Sequence, residues 1–152
     1  MHTQQKVNIL LVDDSPEKLL AMAVILVSLN QNLITANSRE EALKYIAREE
    51  FAVILFNIQI PGIDELNIAY QIKSYLKNQQ TPIIFISNFN KNDMIFKIYY
   101  GETLDCIHQP KIPQILISKV AYFIEKFHKS AELKLKYEQL LNINNILQKQ
   151  IE

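Results

Sequence analysis

The sequence predicts a three-layer α/β fold, in which helices cover both faces of a doubly wound, five-stranded parallel sheet, with an extended C-terminal helix. Short apolar runs alternate with longer helical patterns as far as His108. The runs are rich in Ile, Leu and Val and mostly lack polar alternation, which is typical of strands buried on both faces. The predicted strands are Val7–Val12, Leu33–Ala36, Ala52–Phe56, Pro82–Ser87 and Leu104–His108.

Helix signals separate these strands. Ser15 is a favourable N-cap, and Pro16 stands at the first helical position after it. Ser38 followed by Glu41 forms a capping box for a second helix that runs through Ala47. Two further helices are predicted, one from Asp64 to about Lys77 and one from Asn92 or Asp93 to Tyr100, with Gly101 placed to end it.

The C-terminal part of the chain stays helical in pattern from Pro113 to Glu152, without a glycine or a further proline. Such a length without a breaker indicates a coiled coil or a signalling linker, so we expect a globular domain over 1–128 and a helical coiled-coil linker to a downstream domain over 129–152. A heptad seam is indicated by 4-3 spacing of Leu133, Tyr137, Leu140, Asn144, Leu147 and Ile151. Asn144 occupies a core position of that seam, where a buried amide pair fixes register and a two-stranded state. The alternative is a solvated tail that is helical only in its first turns.

Composition excludes several classes of protein. Sixteen basic and sixteen acidic residues leave no net charge, which argues against nonspecific nucleic-acid binding. No apolar run reaches the roughly 18 residues that a membrane span needs. The single cysteine excludes an internal disulfide and fits a reducing cytoplasm.

Polar residues stand at the carboxyl ends of the predicted strands, where a sheet of this type binds its ligands. These residues are Asp13, Asp14, Asn57, Ser87 and Gln109. Asn57 is the most informative of them, because it is an amide at a point where an aspartate would be a nucleophile and a metal ligand. An amide is neutral, attacks phosphorus poorly, and offers a metal only a carbonyl oxygen.

Four sequence motifs carry a resemblance to a known family. They are Leu11-Val12-Asp13-Asp14-Ser15-Pro16-Glu17, Asn57-Ile58-Gln59-Ile60-Pro61-Gly62-Ile63-Asp64, Thr81-Pro82-Ile83-Ile84-Phe85-Ile86-Ser87 and Asp105-Cys106-Ile107-His108-Gln109-Pro110. In order and spacing, from about Asn8 to Phe127, the chain resembles the receiver domain of two-component response regulators. The resemblance implies a CheY-like, flavodoxin-like sheet with strand order 2-1-3-4-5.

In that family an acidic pair and an acceptor aspartate bind magnesium, and the acceptor takes a phosphoryl group from a kinase histidine. A Ser or Thr and a Lys contact the phosphoryl group, and an aromatic residue reports the state. By this resemblance Asp13 and Asp14 match the acidic pair, and Ser87 matches the hydroxyl position. Asn57 replaces the acceptor, Gln109 replaces the lysine and Cys106 replaces the switching aromatic residue.

These replacements predict a degenerate receiver, or pseudo-receiver. Phosphoryl transfer needs a nucleophile and compensation of the phosphoryl charge, and Asn57 and Gln109 remove both. No cofactor is therefore certain. Asp13 and Asp14 either hold magnesium weakly or accept N–H groups of the following helix.

The predicted function is that of a non-enzymatic signal-transduction module that acts through protein–protein contacts and dimerisation. The alternative is a phosphorylatable receiver whose acceptor was substituted, or one whose pocket still binds magnesium and regulates an output kinase or cyclase domain. We expect protein partners, such as a histidine kinase or a downstream effector domain, and a homodimer. Besides the heptad seam, the predicted interface includes Ile95, Ile98, Tyr99 and Tyr122.

Overall fold

The computed structural model describes residues 5–57, 65–87, 104–108 and 113–151. Five parallel strands form one sheet in the order β2-β1-β3-β4-β5, which confirms the predicted fold class. The strands are β1 (Asn8–Val12), β2 (Asn32–Ala36), β3 (Val53–Asn57), β4 (Ile83–Ser87) and β5 (Leu104–His108). Each lies within about one residue of the predicted bounds. In β1 and β3, burial on both faces makes the apolar run and the strand nearly the same segment.

Helices cover both faces of this sheet. They are α1 (Pro16–Leu26), α2 (Arg39–Arg48), α3 (Glu65–Lys73) and the C-terminal helix (Pro113–Ile151). Side chains of β1 divide between the two faces as strand geometry requires. Ile9 and Leu11 pack with α1 and the C-terminal helix. Leu10 and Val12 pack with α2 and α3 on the other face.

The first two helices begin where the sequence predicts. The Oγ of Ser15 accepts a hydrogen bond from the backbone N–H of Lys18 at 3.3 Å. The Oγ of Ser38 accepts one from the N–H of Glu41 at 3.2 Å. The return bond of the capping box differs from expectation, because the Glu41 carboxylate accepts from the N–H of Asn37 at 3.3 Å and not from that of Ser38.

The third helix ends earlier than predicted, at Lys73 and not at Lys77. The Oγ of Ser74 donates to the carbonyl of Gln71 at 2.6 Å, so a local side-chain bond competes with continuation of the helix. A short 3-10 turn follows over Leu76–Asn78. The helix predicted between Asn92 and Gly101 lies outside the described residues.

The C-terminal helix is unbroken over 39 residues, so the prediction of a long helix is confirmed. Its first part packs on the sheet through Leu116, Val120, Phe123 and Ile124, which are all buried. From Lys129 to Ile151 every residue is exposed in the single chain. No helix in the part of the chain that the structure describes combines the length and apolar character needed to span a membrane.

Candidate functional site

The sheet register brings the ends of β1 and β3 together. Val12 pairs with Phe56 across the two parallel strands. The next residue on each strand is therefore placed beside the other, and these residues are Asp13 and Asn57. The backbone N–H of Asp13 continues the sheet by donating to the carbonyl of Ala36 at 3.1 Å. Two polar side chains thus share the carboxyl edge of the sheet centre, as their positions at strand ends predict.

Asp13 and Asn57 are joined by a hydrogen bond. Nδ2 of Asn57 donates to Oδ2 of Asp13 at 2.9 Å. Oδ1 of Asp13 accepts from the backbone N–H of Ser15 at 3.0 Å. Asp13 is 3% exposed and Asn57 is 5% exposed, so the contact is shielded from water. Both carboxylate oxygens of a buried Asp13 are therefore satisfied by N–H donors of the chain itself.

The hydrogen bond from Asn57 compensates the buried negative charge of Asp13. A buried carboxylate needs a compensating partner, and a donor amide supplies one without any net charge. An aspartate at position 57 would instead set two carboxylates against each other, and like charges at that distance need a cation or a proton between them. The amide therefore removes the need for a cation at this point of the pocket.

Magnesium fits this pair of residues poorly. A metal ligand must present a lone pair, whereas the Asn57 atom that faces Asp13 is the Nδ2 donor, so only Oδ1 of Asn57 could serve as a ligand. Within the described ranges, no group of three or more His, Cys, Asp or Glu side chains is placed to hold a metal ion. Asp14 is exposed and contributes one further carboxylate at the edge of the pocket. The weak magnesium site at Asp13 and Asp14 stays a prediction, and it depends on Asp14.

The other predicted pocket positions are only partly within the described chain. Ser87 ends β4, and the backbone register pairs it with His108 at the end of β5. Cys106 lies one strand away from Phe85, its register partner on β4. Gln109 lies outside the described residues. The fold therefore brings the strand ends of positions 13, 57, 87 and 108 to one edge of the sheet.

The predicted interface residues fall into two groups. Ile95, Ile98 and Tyr99 lie outside the described residues, whereas Tyr122 is 59% exposed on the C-terminal helix. All six seam residues are exposed, and they are Leu133, Tyr137, Leu140, Asn144, Leu147 and Ile151. Five of these six side chains are apolar or aromatic, and their role as an interface stays a prediction.

One buried polar cluster was not anticipated from the sequence. Asn78 is fully buried, and its Nδ2 donates to the carbonyls of Ile46 and Glu49, each at 2.7 Å. Its Oδ1 accepts from the N–H of Phe51 at 2.9 Å and from the hydroxyl of Thr81 at 2.8 Å. This amide therefore ties the end of α2 to the entries of β3 and β4. Its only sequence signal is a lone Asn at the end of an apparent helix, which also fits a solvated turn.

A titratable group on α3 is perturbed by its surroundings. Burial lowers the pKa of Lys73, because desolvation disfavours the charged ammonium. Its Nζ donates to the backbone carbonyl of Gln79 at 3.5 Å, a long contact that compensates the charge weakly. Lys73 lies on a helix that covers one face of the sheet, so this shift bears on stability and not on the pocket.

Comparisons with known proteins agree with this architecture. A family model described as the response regulator receiver domain matches residues 9–121. A gliding motility regulatory protein of Myxococcus xanthus is 27% identical over 84 residues, which make up 55% of this chain and 11% of that protein. This chain therefore corresponds to a small part of that relative.

Two solved structures share the fold. The signal receiver domain of an HD domain-containing protein from Pseudomonas fluorescens Pf-5 has a TM-score of 0.73 and 22% identity, covering 87% of this chain and 96% of that one. The receiver domain of sensor histidine kinase PA1611 from Pseudomonas aeruginosa PAO1, which has a magnesium ion in its active site cleft, has a TM-score of 0.68 and 20% identity. This second match covers 80% of this chain and 99% of the PA1611 receiver domain chain. Because the family model spans most of the globular part and the sheet has the CheY-like order, this chain belongs to the response regulator receiver domain family.

Proposed function

We propose that this chain is a pseudo-receiver, whose pocket is closed by an amide–carboxylate hydrogen bond and whose signal passes through protein–protein contacts. The observation that supports it most directly is the 2.9 Å bond from Asn57 to Asp13. In this arrangement the residue at the acceptor position is a neutral donor to Asp13. Phosphoryl transfer to that position would need an anionic oxygen, which an amide does not supply.

Receiver domains are signalling modules of two-component systems and are in general not enzymes; they interact with histidine kinases or effector proteins. We propose partners of the same two kinds for this chain, and a cytoplasmic location. The sensor kinase PA1611 carries its receiver domain in the same protein, which supports a kinase as one such partner. We also propose that 1–128 acts as the receiver unit and 129–152 as the linker. Side-chain burial in the single chain ends near this boundary.

The output surface in this proposal is the exposed seam of the C-terminal helix, which pairs with the same helix of a second copy. Leu133, Leu140 and Leu147 repeat every seven residues, and Tyr137, Asn144 and Ile151 form the alternate column. Their exposures reach 85% at Ile151, so pairing would bury a substantial apolar area. A pair of Asn144 side chains would fix a parallel, two-stranded register.

Phosphotransfer is tested with acetyl phosphate and magnesium, using the unmodified chain and the Asn57→Asp variant. We expect no acyl-phosphate mass increase on the unmodified chain at any pocket residue. Stable phosphorylation of the unmodified chain would refute the proposal. Labelling of Asn57→Asp alone would instead favour the alternative, a receiver whose acceptor was substituted and whose pocket is otherwise competent.

Dimerisation is tested separately by light scattering. The full chain is expected to be a dimer at micromolar concentration, and a chain truncated after Lys129 is expected to be a monomer. A monomeric full chain at high micromolar concentration would refute the seam, whereas it would leave the phosphotransfer result unaffected.

A further inference from the structure

A second concave site lies at the amino ends of β3 and β4, at the opposite end of the sheet from Asp13 and Asn57. It is a cleft of about 590 Å³ between the start of β3, the segment that enters β4 and the C-terminal helix. All residues that line it are within the described ranges. Its helix wall is formed by Phe123, Lys126, Phe127, Ser130, Ala131 and Lys134.

The base of the cleft is held by the buried Asn78 cluster. Phe51 and Thr81 both line the cleft, and both are hydrogen-bonded to Oδ1 of Asn78. The hydroxyl oxygen of Thr81 also lies 3.1 Å from the carbonyl oxygen of Phe51, so its one proton is shared between this acceptor and Oδ1 of Asn78. These polar groups are already hydrogen-bonded within the chain. The base of the cleft is therefore preformed, and it needs no hydrogen bonds from a ligand.

The walls combine apolar surface with positive charge. Phe123, Phe127 and Pro82 offer ring surfaces. Lys77, Lys126 and Lys134 also line the cleft, against one acid, Glu50, so three positive and one negative charge leave an excess of two. Nζ of Lys77 donates to the carbonyl of Arg48 at 2.5 Å, which holds that ammonium in place. The whole chain is neutral, so this local excess is a feature of the cleft.

Size and charge together indicate the ligand class. Small-molecule sites have volumes of about 300–1,000 Å³, and apolar walls with a few charged groups are their usual lining. We propose that this cleft binds a small organic anion, that is, a molecule with a ring-sized apolar body and a carboxylate, sulfonate or phosphate group. The apolar body packs between Phe127 and Pro82, and the anionic group lies near the lysine ammonium groups.

The cleft lies where the C-terminal helix leaves the domain, so a ligand bound there would contact the helix just before the exposed seam. Leu116, Phe123, Ser130 and Tyr137 stand seven residues apart and form one column along the C-terminal helix. Leu116 and Phe123 are buried against the domain, whereas Tyr137 is exposed. Ser130, which lines the cleft, therefore lies at the transition between intramolecular packing and the exposed seam. A bound molecule would hold the root of the helix against the ends of β3 and β4.

The test uses 1-naphthalenesulfonate as a probe with the full chain, followed by backbone amide chemical shifts. We expect shifts clustered at Ala52, Gln80, Phe127 and Ala131, and weaker binding of the uncharged analogue naphthalene. A variant with Lys126→Glu and Lys134→Glu should lower the affinity about tenfold or more, because two charges that attract the anion become repulsive.

A matched control reverses two lysines of the same helix that do not line the cleft, Lys136→Glu and Lys149→Glu. It has the same change in net charge, and its affinity should stay within about twofold of the unmodified chain because distant exposed charges are screened. Three results would overturn the proposal: no saturable shifts at millimolar probe, shifts confined to Leu133–Ile151, or equal weakening by both double variants. Equal affinity for naphthalene would overturn the anionic part of the ligand class.

Discussion

Replacement of Asn57 by aspartate tests the central contact of the pocket through stability as well as chemistry. The substitution keeps the shape of the side chain and exchanges a donor amide for a carboxylate, 2.9 Å from an Asp13 oxygen that is itself buried. A hydrogen bond to a charged group is worth about 1.5–3 kcal/mol, and that bond is lost. The new carboxylate also repels Asp13, so one of the two must take up a proton in the folded state.

Protonation sets an upper limit on this penalty. Holding a proton at pH 7 on a carboxyl group with an ordinary pKa near 4 requires about 4 kcal/mol, at about 1.4 kcal/mol for each pH unit. We therefore expect Asn57→Asp to lose about 3–4 kcal/mol of unfolding free energy at neutral pH. The raised carboxyl pKa of the variant makes this loss shrink as the pH falls toward about 4–5, where the unfolded carboxylates also bind protons.

Urea denaturation followed by circular dichroism measures this effect, with and without magnesium chloride. Magnesium should restore stability to Asn57→Asp by bridging the two carboxylates, and its effect on the unmodified chain should be much smaller, because that pocket has one carboxylate fewer. Asn57→Ala serves as the control, since it removes the amide without adding a charge and should show no such acid-dependent recovery. An Asn57→Asp variant as stable as the unmodified chain at neutral pH, without a divalent cation, would refute the amide–carboxylate argument.

Three further changes test other parts of the molecule. Asn78→Ala should lower the unfolding free energy by about 3–5 kcal/mol, because it leaves buried carbonyls and an N–H group unpaired; the exposed Asn32→Ala is its control, and an equal loss in both would contradict the buried cluster. Asn144→Leu should strengthen self-association but relax its two-stranded state in sedimentation analysis, so an unchanged monomer–dimer equilibrium would argue against a seam position. Lys73→Gln should be more stable than the unmodified chain at neutral pH, where the lowered lysine pKa is a constant penalty, and the difference should fall as the pH rises toward about 10.4; a difference independent of pH would contradict desolvation as the cause.

The central strands β1 and β3 could be predicted from sequence because they are buried on both faces, whereas β2 at the sheet edge is partly exposed. In β3 all five residues are buried, so an uninterrupted apolar run marks the strand directly. Helix starts at Ser15 and Ser38 were equally readable, since each depends on one local hydrogen bond. The early end of α3 could not be predicted in this way. It depends on the side-chain bond of Ser74 and on tertiary contacts that bury Asn78, which is distant in sequence from its partners.

The pocket was predicted in part for a similar reason. The proximity of Asp13 and Asn57 could be predicted, because both residues stand at the carboxyl ends of strands and parallel strands have these ends on one edge of the sheet. The direction of the amide was not readable from the sequence, since it depends on which Asn57 atom faces Asp13. The cleft at the other end of the sheet was also missed. Its walls come from three separate stretches of the chain, within 50–52, 76–82 and 123–134, with no shared local motif.

An uninterrupted C-terminal helix has the geometry of a lever arm. From Phe127 to Ile151 it extends about 36 Å at 1.5 Å per residue. A tilt of only about 5° at its root would therefore displace the far end by about 3 Å, more than half of one helical pitch. A small change in the packing of Phe123 against the domain would therefore be amplified along the helix into a displacement of several ångströms at Ile151.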